Sequence, residues 1–539
     1  LLRIKSTQIL YLLCIIFLYQ INSNAQYNIS YNNDVEDFLD RCEAIGLIDI
    51  NLHQRPFSRQ RIYQYLTEVE LKNGSLSPVM QDELNFYLKE FQVKSEEENF
   101  IFLSDNNSGG FRFFEYAERN SRFALYPNIG TGLLFRDSKN DLLYYNGLSI
   151  YGNLDSYFSF DFNYKDISLK RHSDNRELTF YNRRGWDYQK YFKSTSTNNY
   201  DITRGNISLS FDKYIFSLSK DYVYLGTGYD GKIILSDKAP SFPHLSIKIF
   251  PWNWMEFSYF YGSLNSMYYD STSIRYTSDI RPHISLIEKY IAAHMVSLRF
   301  KNLNFSIGES IIISDRFEPV YLIPVLFFRV ADHYLSKTDY NSGNAQIFSS
   351  VSYRLPSLKS RFDLTVFIDE MNITNKESPN AVAYSIGLTK YDIFFENNGV
   401  QIEYTRIDPF VYTHADPVQW YSNRNYNLGH WLGNNTDRIY SRLFYSPFAR
   451  LKLGIDFQYI RKGEAEIPNK TRYQSDQKFL YGKKSYYIIS NLQLSYQFLN
   501  NLYILLDLGS SNAWGENNLF NVNDYKFKNF SFSISYGFD

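Results

Sequence analysis

The sequence predicts an all-β transmembrane barrel of about 18 antiparallel strands, preceded by a small N-terminal three-helix bundle. Three observations predict it. From about residue 100 onward, apolar and polar residues alternate with period two, giving each strand one apolar-aromatic face and one small or polar face. The connections alternate between very short turns and long polar loops, the pattern of barrels with short periplasmic turns and long external loops. Aromatic residues make up 18% of the 539 residues (49 Tyr, 44 Phe, 6 Trp), yet the mean hydropathy is only -0.38. A polar lumen behind a lipid-facing wall reconciles those two numbers.

Charge and cysteine usage narrow the class further. With 56 Lys+Arg against 57 Asp+Glu, the chain lacks the basic surplus that nucleic acid demands, and no nucleic-acid partner is expected. Of the two Cys, Cys14 lies in an apolar leader, so Cys42 is left with no intramolecular disulfide or Cys-based zinc site to join.

The leader comes first. Arg3 and Lys5 precede the apolar run from Ile9 to Leu18, and Ser23-Asn24-Ala25 offers small residues where a signal peptidase reads. An apolar core of about ten residues is half of what a membrane-spanning helix needs. Residues 1–25 are therefore expected to be a signal peptide, cleaved before Gln26, so the protein is expected to be exported and to cross a membrane only as a barrel.

Residues 26–99 are expected to form a periplasmic helical bundle. Val35, Phe38, Leu39, Cys42 and Ile45 are spaced by three and four, with Gly46 where a C-cap belongs. Ser58 can cap a second helix carrying Ile62, Tyr65, Leu66 and Val69. Ser77-Pro78 opens a third, with Leu84, Tyr87, Leu88 and Phe91 on its apolar side. Helical periodicity is expected nowhere else.

Residues 100–539 are expected to form the barrel. The last segment is the clearest strand: Phe530, Phe532, Ile534, Tyr536 and Phe538 alternate with Ser531, Ser533, Ser535 and Gly537. The same alternation recurs in Phe158-Phe160-Phe162-Tyr164, Phe257-Tyr259-Tyr261 and Leu492-Leu494-Tyr496-Phe498. Short turns fall at 212–213, 301–302, 396–398, 445–447 and 500–501, expected on the periplasmic side. Long connections lie at 171–200, 263–288, 314–344, 370–380, 410–436, 463–484 and 510–528, expected outside. Pro319 and Pro324 make 314–344 unsuitable as strand, so it is expected to be a folded insertion at the outer mouth or within the lumen.

Catalytic and metal motifs are few. Gly226-Thr227-Gly228-Tyr229-Asp230-Gly231 matches G-x-G-x-x-G, but a strand-like Lys232-Ile233-Ile234-Leu235-Ser236 follows where a dinucleotide site requires a helix. A glycine-rich bend at the barrel rim is expected instead. The eight His show no metal-ligand spacing, and no nucleophile elbow or Walker A sequence occurs. Asp363, Asp369, Glu370 and His414 could serve acid-base chemistry, but acidic residues in a polar lumen need no catalytic role. No enzyme activity, cofactor or metal is expected.

Residues 289–433 resemble the Wzi-type capsule-assembly proteins of Gram-negative outer membranes. The matching pieces are Lys289-Tyr290-Ile291-Ala292-Ala293-His294, Ile307-Gly308-Glu309-Ser310 and Tyr321-Leu322-Ile323-Pro324-Val325-Leu326-Phe327-Phe328. Ile368-Asp369-Glu370, Glu403-Tyr404-Thr405-Arg406, Tyr412-Thr413-His414 and Leu428-Gly429-His430-Trp431-Leu432-Gly433 follow in order. The resemblance implies an anchor that holds capsular or related surface polysaccharide on the cell. Sugar binding calls for aromatic faces beside hydrogen-bonding side chains on external loops. Trp420, Tyr421, Asn423, Arg424, Asn425 and Trp431 offer these in one loop, and Asn182, Arg183, Arg184 and Trp186 in another. The expected partners are surface polysaccharide and outer-membrane lipid, and the barrel is expected to be monomeric. A transport channel for saccharide, lipid or secretion-related cargo is the alternative, and the state of the lumen separates the two.

Overall fold

The computed structural model describes residues 33–92, 95–105, 111–119, 121–136, 139–154, 157–170, 188–190, 197–276, 278, 282–336, 343–370, 380–464, 478–516 and 525–537. The expected signal peptide lies outside these residues.

Eighteen antiparallel strands close a single ring. In chain order they are β1 (Ser121–Arg136), β2 (Lys139–Leu154), β3 (Phe158–Lys170), β4 (Thr197–Phe211), β5 (Tyr214–Asp221) and β6 (Phe242–Trp252). Then follow β7 (Met255–Tyr269), β8 (Leu286–Phe300), β9 (Leu303–Ser314), β10 (Asn344–Leu355), β11 (Ser360–Glu370) and β12 (Ala381–Tyr391). The ring finishes with β13 (Asn398–Ile407), β14 (Thr436–Phe448), β15 (Leu451–Lys462), β16 (Ser485–Leu499), β17 (Leu502–Gly515) and β18 (Tyr525–Tyr536). Each strand pairs with its neighbour in sequence, and β18 closes on β1 from Asn529 opposite Arg136 to Tyr536 opposite Ile129. The hairpin Ser95–Asp105/Phe111–Arg119 pairs with the start of β1, below the point where β18 ends.

The alternation read from the sequence sets the two faces. On β18, Phe530 and Ile534 are exposed on the outer wall, whereas Ser531 donates to Asp507 inside. Trp252 and Trp254 stack at 5.2 Å at the short-turn end, with Phe300 against Trp254 at 6.0 Å. Such an aromatic girdle marks a membrane interface.

Three helices, α1 (Asn33–Ala44), α2 (Arg59–Glu70) and α3 (Pro78–Phe91), form the bundle. Ser58 and Ser77 accept hydrogen bonds from the backbone N–H of Arg61 and Met80, the caps their positions predict. Val35, Phe38, Leu39, Cys42, Ile62, Leu66, Leu84 and Tyr87 share one apolar core. Ion pairs fasten the bundle to the short-turn end of the ring: Arg41 to Asp392 at 3.0 Å and Lys452 to Asp34 at 2.9 Å.

The segment between α1 and α2 climbs into the lumen. Ile50 O accepts from Asn304 Nδ2 at 3.0 Å, and Asn51 Nδ2 donates to Glu256 at 2.8 Å. His53 sits between the Ser306 and Ser352 hydroxyls at 2.6 and 2.9 Å. Gln54–Arg55 then forms a two-residue ladder with Tyr224–Leu225, part of the β5–β6 connection folded down from the other end. The lumen is thus filled from both sides by segments that meet through backbone hydrogen bonds.

Three expectations are corrected here. The described part of 314–344 occupies neither the mouth nor the lumen. It lies on the outer wall, where Tyr321, Phe328 and Ala331 pack on Tyr259, Tyr261, Ala292, Ile311 and Ile313. It contains a fourth helix, α4 (Phe328–Ser336), so helix is not confined to the bundle. The glycine-rich bend is not at the rim either: Thr227 bonds Thr365 at 2.8 Å and Tyr229 bonds Asp363 at 3.2 Å, both on the lumen wall.

Candidate functional site

The long-loop end is closed by residues 408–435, which fold inward as a cap. Phe410, Val411, Tyr412, Tyr421 and Leu428 are buried against Phe367, Ile312 and the Ile233-Ile234-Leu235 run of the β5–β6 connection. Burying this many apolar side chains in a polar barrel makes the cap a core of its own. Polar ties fix its orientation. Asp369 accepts from the Tyr412 backbone N–H at 2.6 Å, and the Tyr412 hydroxyl donates to Ile233 O at 2.6 Å.

Below the cap, the β5–β6 connection is held at its tip. Arg438 donates to Tyr229 O and to Glu403, and Glu403 accepts from the Tyr229 backbone N–H at 2.9 Å. The glycines answer to crowding here. A Cβ on Gly228 would meet Gly231 O at 2.3 Å, and one on Gly231 would meet His430 Nε2 at 2.8 Å. His430 is fully buried, and burial, together with Arg438, Lys238 and Lys462 around it, holds its imidazole well below the ordinary range. It is a neutral packing residue. A polar chamber of 490 Å³ remains between this tip and the bundle, lined among others by Asp37, Asp40, Tyr229, Lys232, Arg361 and Arg442.

The sequence-predicted residues divide sharply. Tyr421 is buried against Tyr412 and Phe367, with ring centroids at 5.8 and 5.3 Å. Asn423 is buried too; it donates to Pro240 O at 3.0 Å and accepts from the Asn265 backbone N–H at 2.9 Å. Both side chains help to build the cap. Trp431 is partly exposed, but its indole N–H is spent on Asp230 O at 2.8 Å. Trp420 is also partly exposed and donates to His414 O at 2.9 Å. Its own carbonyl accepts from Lys289 of β8, whereas Leu432, next to Trp431, accepts from Lys462 of β15. The two tryptophans thus stand on cap segments tied to different walls. Arg424 is partly exposed and Asn425 exposed. Asn182, Arg183, Arg184 and Trp186 lie outside the described residues.

Sequence reasoning missed an aromatic neighbour. The end of β7 and the β7–β8 connection raise Tyr269 and Tyr276, 70% and 69% exposed, with Tyr268 and Arg275 also in these segments. Asn265, at its base, bonds both Asn423 and the Arg424 backbone, which joins this connection to the cap. Tyr268-Tyr269 and Arg275-Tyr276 sit within the long connection 263–288, where an aromatic pair beside Arg was the available signal. Trp420, Arg424 and Asn425 of the cap and Tyr269 and Tyr276 are thus solvent-reaching aromatic, guanidinium and amide groups on two segments joined through Asn265.

Comparison with known proteins agrees with this architecture. Residues 145–512 match the family model described as capsule assembly protein Wzi. The chain belongs to the Wzi capsule-assembly family. No curated protein matches it significantly. Among solved structures it is similar to Wzi of Escherichia coli, described as an outer membrane protein involved in group 1 capsule assembly and a carbohydrate-binding β-barrel. The two share 12% identity and a TM-score of 0.57, over 95% of this chain and 99% of that one. OprD of Pseudomonas aeruginosa (10% identity, TM-score 0.42) and OccAB4 of Acinetobacter baumannii (12%, 0.41) each match 77% of this chain and cover 92% and 97% of their own. Like the E. coli protein, this Wzi-family chain is an outer-membrane β-barrel. Its ring carries the bundle at the short-turn end.

Proposed function

We propose that this Wzi-family barrel binds capsular or other surface polysaccharide at its external face and anchors it to the cell, as a monomer and without altering the sugar covalently. The observation that carries this reading is the doubly filled lumen: the N-terminal segment and the β5–β6 connection meet at Gln54–Arg55 and Tyr224–Leu225. A barrel filled by its own backbone offers its outer surface to a polymer rather than a path through itself. The description of E. coli Wzi as carbohydrate-binding supports the same reading. An aromatic ring can stack on the apolar face of a sugar while amide and guanidinium groups bond its hydroxyls. Each contact is weak, and many copies along one polymer supply avidity. On this reading Trp420, Arg424, Asn425, Tyr269 and Tyr276 are contacts in the described part, and Arg183, Arg184 and Trp186 in the 171–200 loop are further ones.

The test is retention. Trp420→Ala with Tyr269→Ala and Tyr276→Ala should release polysaccharide into the medium while barrel folding and total polymer stay unchanged. Full retention by the folded triple variant rejects this surface. Full retention after deletion of the whole protein, with altered uptake of a small solute, rejects the anchor and favours a channel.

A further inference from the structure

The insertion between β9 and β10 stands on the wrong side of the wall for an external loop. Ser306 and Asn304 of β9 bond the lumenal segment, so the alternate residues Ile307, Glu309, Ile311 and Ile313 face outward. Ile307 is 48% exposed, as a lipid-facing residue should be. Glu309 is buried, because the insertion covers it: its carboxylate accepts from the Phe328 backbone N–H at 2.6 Å, at the N-terminus of α4. His294, its cross-strand partner, lies 3.3 Å from the same carboxylate and packs on the Phe328 ring.

This contact fixes the depth of the insertion. Glu309 lies about five residues below the external end of β9 at Ser314, or about 13 Å at a rise of about 3.3 Å and a tilt of about 40°. The nine residues of α4 rise about 13 Å. The chain therefore descends along the outer wall after Ser314 to the level of Glu309 and returns through α4. Its inner side is paired with the barrel. Its outer side presents Ile323 (50% exposed), Val325 (80%), Phe327 (49%), Val330 (60%) and Tyr334 (75%). His333 is exposed between Val330 and Tyr334 and Arg329 is partly exposed beside them, so this face is mostly apolar and continues the exposed wall of the ring.

We propose that residues 317–336 form a re-entrant wedge embedded in the outer leaflet, whose partner is the acyl chains of the membrane lipid. Burial of Glu309 and His294 needs the wedge in place, and the wedge's outer face needs hydrocarbon against it. Directly above stand Lys289 and Ser314, which hold the Trp420 segment of the cap, so the wedge braces the flank that carries the candidate sugar surface.

Spin labelling tests this in reconstituted lipid vesicles. Val325→Cys and Val330→Cys would carry a nitroxide in a Cys14→Ser background, Cys42 being buried, with Ile307→Cys as the lipid reference and Asn425→Cys as the water reference. The expected result is the Ile307 pattern: collision with oxygen several-fold more frequent, relative to a water-soluble nickel chelate, than at Asn425. The Asn425 pattern at both positions overturns the proposal, because the wedge then stands in water. Suppressed collision with both agents overturns it equally, because protein rather than lipid then covers the face. The labels replace exposed side chains, and heat-modifiable migration on a gel verifies folding of each variant.

Discussion

Arg438 and Glu403, on adjacent strands, face each other at 2.7 Å inside the barrel, and the same guanidinium nitrogen donates to Tyr229 O at 2.7 Å. Neither side chain is accessible to water. One buried ion pair thus anchors the tip of the β5–β6 connection, and with it the upper half of the lumenal filling.

Breaking that pair should be costly. Arg438→Ala takes the cation from a buried carboxylate and the Arg438 donor from a buried carbonyl, a loss of about 3–5 kcal/mol for a pair of this kind. The expected outcome is a lower melting temperature and new ion conductance in planar bilayers, with partial recovery in Arg438→Lys. A variant as stable and as silent as the parent would remove the tip's assigned anchor.

The register of the last strand makes a second prediction. Ile534→Arg places a cation on the lipid wall and should cost about 2–4 kcal/mol if the position lies near the bilayer midplane. Ser533→Arg points inward and should be tolerated better. Urea unfolding in vesicles measures both, and equal damage would contradict the faces assigned here.

Tyr421 and Tyr276 make a contrasting pair. Tyr421→Ala empties a packed site in the cap and should destabilise by about 3–5 kcal/mol, the cost of large-to-small core changes. Tyr276→Ala removes an exposed ring and should leave stability unchanged while weakening polysaccharide retention. The reverse pattern would exchange the roles of cap core and surface.

The lumenal filling should respond to pH with two opposed limbs. Burial pulls His53 down from 6.5 to about 4, against a weaker upward pull from Asp363. The unfolded chain then binds the extra proton, so stability is complete above about pH 6.5 and falls as pH drops towards 4. Burial pushes Glu43 up from 4.5 to about 7, with Arg361 and Arg354 opposing it. Here the folded chain holds the extra proton, so this contribution is complete below about pH 4.5 and is lost as pH rises to 7. His53→Gln should flatten the acid limb and Glu43→Gln the neutral one, each on the order of 3 kcal/mol. Protease accessibility of the bundle between pH 4 and 8 reads both, and an unaltered profile in either variant would sink its assignment.

What the sequence disclosed follows the range of the interactions involved. Local signals were legible: Ser58 and Ser77 cap the helices they were expected to cap, period-two alternation marked the faces, and the short and long connections marked the strand number. Long-range placement was not. Tyr421 and Tyr276 are both aromatic residues in polar connections, and only the folded cap buries one against Phe367 and leaves the other in water. Gly226–Gly231 reads as a bend, but whether a bend turns inward depends on partners such as Glu403 and Arg438, far along the chain. The prolines of 314–344 excluded strand, as they should. They carried no information about which wall the segment covers.

The seam between β1 and β18 has a consequence for how the molecule is made. The Tyr536 hydroxyl bonds Phe111 O across 425 residues of chain, and His53 bonds Ser352 across 299. The closing strand follows every other strand of the ring, so the wall stays open until Tyr525–Tyr536 arrives. The filling is assembled from residues that precede it. Contacts of such separation are slow to form, and an open sheet presents unpaired edges to every other chain nearby. Assembly of this barrel is therefore an ordering problem: the interior has to be furnished, or its periplasmic opening left passable, before the last door is shut.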